Sequence, residues 1–208
     1  MRLGWWLGNP GKRGNKTWRK ASPDWSPYTF VSESLGLTDD NSRYVYLADG
    51  GQFENLGLYE MVLRRCKTII VCDAGSDPKP AFYDLGSAIH KVRVDMGIPI
   101  EFIAGKGPTK NKYGAFATIK YSAVDGKDAD DGVLIYLKPT MNGTESIDIL
   151  HYQKENPNFP HETTADQFYS ETQFESYRSL GFAMMESLCA GAEITDVNDL
   201  VANARKIL

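Results

Sequence analysis

An aspartate followed by two glycines is the feature of this sequence best suited to chemistry. Asp49 comes directly after Ala48 and the aromatic and β-branched run 44–47, which predicts a strand. Gly50 and Gly51 allow the backbone to turn tightly and another chain segment to approach closely. A carboxylate on such a turn suits a base that activates a serine nucleophile. It equally suits a turn former that accepts hydrogen bonds from nearby backbone amides, and the three residues alone leave both interpretations open.

The elements around Asp49 predict an α/β fold. Apolar residues recur at helical spacing over 54–65, a continuous apolar run at 68–72 predicts a buried strand, and 81–96 predicts a second helix. Another strand follows at 98–103. This order of strands and helices favours a parallel sheet with crossover helices, which would place Asp49 at the carboxyl edge of the sheet, where α/β proteins hold their sites.

The second half of the chain follows a different pattern. Two runs, at 115–124 and 133–138, predict an antiparallel hairpin. A short helix is expected at 146–152, and two longer helices at about 170–188 and 196–207. The predicted fold class is α/β, with a mainly parallel sheet, an added antiparallel hairpin and a helical C-terminus.

The N-terminal 43 residues are rich in glycine and proline and contain four tryptophans. We interpret residues 1–43 as an irregular segment whose aromatic side chains cover a core, with a membrane-interface role as the alternative. Basic residues cluster within the same segment, and a solvated loop is favoured there over contact with anionic lipid headgroups. The members of this basic patch are Lys12, Arg13, Lys16, Arg19 and Lys20.

The segment 46–60, which contains Asp49-Gly50-Gly51, resembles the Asp-Gly-Gly/Ala motif of patatin-like and cytosolic phospholipase A2-like hydrolases. The likeness extends to bacterial members of that family through the strand ending at Asp73, and the run 167–178 is similar to their C-terminal end. It covers most of residues 3–181. The resemblance implies one hydrolase domain, of which residues 1–208 are the C-terminal portion: a segment at 1–43, an α/β core at 44–104, and the hairpin and C-terminal helices at 105–208.

The family resemblance also implies a reaction. In these hydrolases a serine in a Gly-x-Ser-x-Gly turn attacks a lipid ester and an aspartate accepts its proton, without a metal or organic cofactor. Only Asp49 carries over as a catalytic residue, with Gly50 and Gly51 as its supporting turn. The sequence contains no Gly-x-Ser-x-Gly. We therefore expect the serine upstream of residue 1 in the same polypeptide, and we expect the isolated chain to lack hydrolase activity.

The composition of the chain limits the classes of partner that it is expected to bind. The 23 basic and 27 acidic side chains leave a net charge of −4, which argues against nucleic acid as a partner. The expected partner is a phospholipid or another lipid ester, with a membrane surface as a further candidate. The three cysteines form neither a disulfide framework nor a zinc motif. With no apolar run long enough to span a bilayer, a cytoplasmic or peripheral membrane location is expected.

Other polar residues have simpler interpretations. His161 begins a zinc-like sequence that lacks the second histidine, so we reject a zinc site there. The aspartates of the turn 125–132 do not follow calcium-loop spacing and predict a solvated hairpin turn. A turn or capping role is favoured for Asp73.

Two other functions remain open. The chain could be a non-catalytic module that keeps the hydrolase fold and binds a membrane or a partner, as the basic patch and the tryptophans suggest. A hydrolase of water-soluble esters is the other alternative.

Overall fold

The computed structural model describes residues 4–208, which divide into two compact units. Unit 1 ends at Asn55, and unit 2 runs from Leu56 to Leu208. Asp49 belongs to unit 1, whereas the larger sheet and most helices belong to unit 2.

Unit 1 is built on a two-stranded antiparallel sheet. Strand β1 (Gly4–Gly8) pairs with β2 (Tyr44–Ala48), so that Trp6 lies opposite Tyr46. Their rings are in contact, with centroids 5.3 Å apart. Helix α1 (Ser26–Ser34) lies between the two strands in sequence. Residues 4–43, expected to be irregular, therefore contain a strand and a helix.

The sheet of unit 2 has four strands in the order β3-β6-β5-β4. These are β3 (Thr68–Cys72), β4 (Ile100–Phe102), β5 (Gly114–Ile119) and β6 (Gly132–Leu137). β3 and β6 are parallel, while β5 pairs antiparallel with both β6 and β4. The sheet is therefore mixed.

Helices cover both faces of this sheet. On one face lie α2 (Leu58–Leu63) and α3 (Tyr83–Met96). On the other lie α5 (Ile147–Glu155), α6 (Glu171–Cys189) and α7 (Val197–Ile207), and α4 (Ser122–Asp125) is a single turn between β5 and β6.

Two hydrophobic cores lie on opposite faces of the sheet, and β6 contributes side chains to both. Successive side chains of a strand point to opposite faces of the sheet. Accordingly, Leu134 and Tyr136 pack in the core on the α3 side, and Ile135 and Leu137 pack in the core on the α6 side. Unit 2 is thus a three-layer arrangement of helices, sheet and helices.

The predicted α/β class, the antiparallel hairpin (β5 and β6) and the helical C-terminus are confirmed. The strands that pair are not the ones expected from the order of elements along the chain. β2 pairs with β1, β4 pairs antiparallel with β5, and the parallel partner of β3 is β6. Local apolar patterns indicate strands but do not determine their partners, which explains the difference.

Candidate functional site

Asp49 lies directly after β2 and begins a 3₁₀ turn at Gly50–Gln52. Its Oδ1 accepts a hydrogen bond from the backbone N–H of Gly51 at 2.8 Å, and its carbonyl accepts one from the N–H of Gln52 at 3.1 Å. The residue is exposed. Asp49 therefore makes the side-chain hydrogen bond expected of a turn former. The same bond holds one carboxylate oxygen in a fixed position while the side chain stays accessible.

The two glycines of this turn differ in the space around them. A Cβ atom added to Gly51 would lie 2.3 Å from the Asn55 side-chain oxygen and 3.2 Å from Asp49 Oδ1. A Cβ atom added to Gly50 would meet no heavy atom within 4 Å. A Cβ atom at Gly51 would therefore displace the Asn55 side chain, whereas one at Gly50 would displace nothing.

The basic patch lies at a wide, open groove of about 1330 Å³ in unit 1. Lys12, Arg13, Lys16 and Lys20 line this groove together with Arg43. Arg19 does not line it, and its guanidinium lies 4.5 Å from the ring centroid of Trp18 instead. Asp24 and Asp39 also line the groove, and Asp24 pairs with Lys20, so positive charge is in excess there.

The tryptophans of unit 1 are largely accessible. Trp5, Trp18 and Trp25 are 63%, 54% and 68% exposed, whereas Trp6 is half-buried against Tyr46. The Trp5 indole N–H donates to the carbonyl of Ala21 at 2.6 Å. The expectation that these side chains cover a core is wrong for Trp5, Trp18 and Trp25, and Trp6 packs only partly buried on Tyr46.

Unit 2 contains a buried polar cluster where β3 and β6 end. Asp73 follows β3, Lys138 follows β6, and their side chains are 2% and 5% exposed. Lys138 Nζ lies 3.0 Å from Asp73 Oδ2, and the Tyr136 hydroxyl donates to the same oxygen at 2.5 Å. Burial, followed by the hydrogen bond to Asp73, raises the pKa of Tyr136. Asp73 Oδ1 accepts from the N–H of Gly75 at 2.9 Å, so Asp73 has the predicted turn role, but its ion pair was not anticipated.

His161 lies near this cluster. Its Nδ1 is buried and has no hydrogen-bond partner among the described residues. Burial, and next the charge of Lys138, lower the pKa of His161. Its carbonyl accepts a hydrogen bond from the Ser76 hydroxyl at 2.8 Å, which connects the His161 segment to the loop after β3.

Three of the four aspartates of the hairpin turn are paired with cations. The guanidinium of Arg65 contacts both oxygens of Asp125, at 2.5 and 2.9 Å, and Lys67 lies 2.5 Å from Asp130. Lys120 and the hydroxyl and backbone N–H of Ser122 all donate to Asp131. The bond from Lys120, followed by those from Ser122, lowers the pKa of Asp131 to about 2. These partners give the turn a structural role.

Two general features concern the described residues as a whole. No group of three or more histidine, cysteine, aspartate or glutamate side chains in residues 4–208 is arranged to hold a metal ion. In the same range, no helix has both the length and the apolar composition needed to cross a bilayer.

Comparisons with protein-family models, with curated proteins and with solved structures each gave no match. The structure puts Asp49, Gly50 and Gly51 in one turn. That turn follows β2 of the two-stranded antiparallel sheet, so the expectation that Asp49 ends a strand of the parallel sheet is wrong, because within residues 4–208 β2 pairs only with β1. The sequence analysis did not identify Lys138 or Glu162 as site residues. Lys138 belongs to no motif and its partner Asp73 is distant in the sequence, whereas the partners of Glu162 come from α5 and α6 on either side of its segment.

Proposed function

We propose that this chain supplies the aspartate of a serine–aspartate dyad in a patatin-like lipid acyl hydrolase. The supporting observation is the turn at Asp49, in which an exposed carboxylate follows a strand and is oriented by the Gly51 N–H. A dyad base needs a carboxylate held in one orientation and reachable by a partner hydroxyl, and this turn offers both.

In the proposed reaction, a serine upstream of this chain in the same polypeptide attacks the carbonyl carbon of a phospholipid or related ester. Asp49 accepts the serine proton as the new C–O bond forms, and the tetrahedral intermediate collapses to an acyl-serine. The alcohol leaves with that proton. Water then attacks the acyl-serine with Asp49 again as base, releasing a carboxylic acid and the free serine. This chemistry requires no metal or organic cofactor, and it fits a cytoplasmic or peripheral membrane enzyme of lipid degradation.

The first test is the coding sequence upstream of Met1, read in frame. A Gly-x-Ser-x-Gly after a predicted strand, preceded by a glycine-rich loop, is the expected result, since that loop would supply the oxyanion hole. The second test is ester turnover by the 208-residue chain alone, for which we expect none. Turnover by this chain that Asp49→Asn abolishes would contradict the proposed division of the dyad, as would an unrelated gene upstream.

A second candidate function is a non-catalytic module that binds anionic membranes. It is favoured by the basic groove of unit 1, which the largely exposed Trp25 also lines, because cationic side chains attract anionic headgroups and indole rings partition into the interface.

Co-sedimentation with phosphatidylglycerol vesicles distinguishes the two functions. The module predicts binding that survives Asp49→Asn and is lost when Lys12, Arg13 and Lys16 are replaced by glutamine. Replacing the exposed lysines Lys110, Lys112 and Lys127 by glutamine is the matched control for a general loss of charge. Equal loss in both triple variants would argue against a specific membrane-binding groove.

A further inference from the structure

A separate cavity of about 210 Å³ lies within unit 2, beside the segment that joins α5 to α6. Three of its lining residues are aromatic and one is a carboxylate: Ala74, Glu162, Thr164, Tyr169, Phe174 and Tyr177. Among these described lining residues there is no lysine, arginine or histidine. The cavity therefore combines ring surfaces with one negative charge and no positive one.

Glu162 is held by neutral donors only. The Tyr152 hydroxyl lies 3.3 and 3.4 Å from its two carboxylate oxygens, and Gln173 Nε2 donates to Oε2 at 3.2 Å. Both donor residues are buried. Within residues 4–208, Glu162 forms no salt bridge. Its carboxylate is thus oriented by the chain, but its charge is not neutralised.

The aromatic walls include both fixed and accessible rings. The Tyr177 hydroxyl accepts a hydrogen bond from the Glu162 N–H at 3.3 Å, and the Tyr177 ring packs against Phe159 with centroids 4.8 Å apart. Phe174 and Tyr169 are 63% and 48% exposed, so a ligand can reach their rings. Aromatic faces carry negative potential and attract cations.

We propose that this cavity binds a small organic ammonium group, such as the trimethylammonium of choline. A carboxylate repels anionic ligands, and a single carboxylate among aromatic rings lacks the oxygen ligands that Ca²⁺ or Mg²⁺ requires. A ring-lined site with one uncompensated carboxylate matches the charge and the apolar methyl surface of a quaternary ammonium. The site belongs to unit 2 and does not depend on the function of Asp49.

Isothermal titration calorimetry with choline tests the proposal, with 3,3-dimethylbutan-1-ol as an uncharged molecule of the same shape. We expect choline to bind about tenfold more tightly than the alcohol, and Glu162→Gln or Phe174→Leu to weaken choline binding by roughly tenfold. Glu193→Gln and Phe182→Leu are the matched controls, because both residues are exposed and neither lines the cavity. Phe174 is exposed, so its replacement leaves the fold intact.

Vesicles identify the source of the ammonium group. Choline-sensitive binding to phosphatidylcholine vesicles that Glu162→Gln abolishes would assign a lipid headgroup, whereas choline binding without vesicle binding would assign a free ammonium compound. Equal affinity for choline and the uncharged alcohol would overturn the proposal. So would unchanged choline affinity in both Glu162→Gln and Phe174→Leu, or the absence of saturable choline binding.

Discussion

Lys138 Nζ lies 3.0 Å from Asp73 Oδ2, and both side chains are almost completely buried at the ends of adjacent parallel strands. The register of β3 and β6 brings them together, because Cys72 pairs with Leu137 and the next residue of each strand is the charged one. Tyr136 and the Gly75 amide supply further hydrogen bonds to the same carboxylate.

Breaking this pair should strongly destabilise unit 2. Lys138→Met keeps the aliphatic stem but leaves the Asp73 carboxylate buried without its cation, which should lower the free energy of unfolding by about 3 kcal/mol. The double variant Asp73→Asn, Lys138→Met should recover much of that loss, because no buried charge remains. Urea unfolding measures both effects.

The control for this prediction is Lys67→Met, which removes one side of the exposed Lys67–Asp130 pair. Exposed pairs contribute little to stability, so its unfolding curve should stay close to that of the original chain. Equal free energies of unfolding for Lys138→Met and Lys67→Met would show that the buried pair contributes no more to stability than the exposed pair.

The two glycines after Asp49 should respond differently to alanine. Gly51→Ala places a Cβ against the Asn55 side-chain oxygen, so that side chain has to move and the turn should be destabilised by about 0.5–1 kcal/mol, whereas the surroundings of Gly50 leave space for a methyl group. Amide hydrogen exchange at Gln52 and Phe53, whose N–H groups bond within the turn, reports the local effect. Faster exchange only in Gly51→Ala is expected, and equal exchange in both variants would contradict the packing argument.

Asp131 should contribute a pH-dependent part of the stability. Its pKa is about 2 in the folded chain against an ordinary value of 3.8, so the unfolded chain takes up the proton first as the pH falls. Its contribution should be complete above about pH 4 and decrease as the pH falls towards 2.

Asp131→Asn tests this dependence. The variant should lose about 1 kcal/mol of unfolding free energy at pH 7, because the bonds from Lys120 and Ser122 then reach a neutral acceptor. The difference from the original chain should shrink below pH 4. Asp128→Asn, at an exposed residue of the same turn, is the control, and a difference that does not change with pH would argue against the Lys120 contact as the cause.

The sequence predicted the elements of unit 2 better than their pairing. The apolar run at Thr68–Cys72 and the helical spacing over Tyr83–Met96 are local signals, and both elements are present. Strand β1 was not predicted, because its sequence, Gly-Trp-Trp-Leu-Gly, has glycines at both ends and no alternation of apolar and polar residues. The pairing of β3 with β6 depends on contacts between distant parts of the chain, which no local pattern contains.

The residues of the candidate sites, like the strands, were predictable only where the signal is local in the sequence. Asp49 and its glycines were identifiable because their chemistry lies in three consecutive residues. The partners of Asp73 were not, since Lys138 is an ordinary lysine until the β3–β6 register places it next to a buried carboxylate. Glu162 was also not identified as a site residue. It follows His161 in a sequence that begins like a zinc motif, and its place in a candidate site depends on the aromatic residues that α6 brings to the cavity.

The central claim is that Asp49 activates a serine upstream in the same polypeptide, and labelling with a fluorophosphonate probe tests it most directly. The polypeptide that includes the in-frame upstream segment should be labelled on one serine, and Asp49→Asn should slow labelling by about 100-fold or more. Asp40→Asn, at another exposed aspartate of unit 1, should label at the original rate. Equal labelling rates in Asp49→Asn and the original polypeptide, or labelling of the isolated 208-residue chain, would contradict the claim.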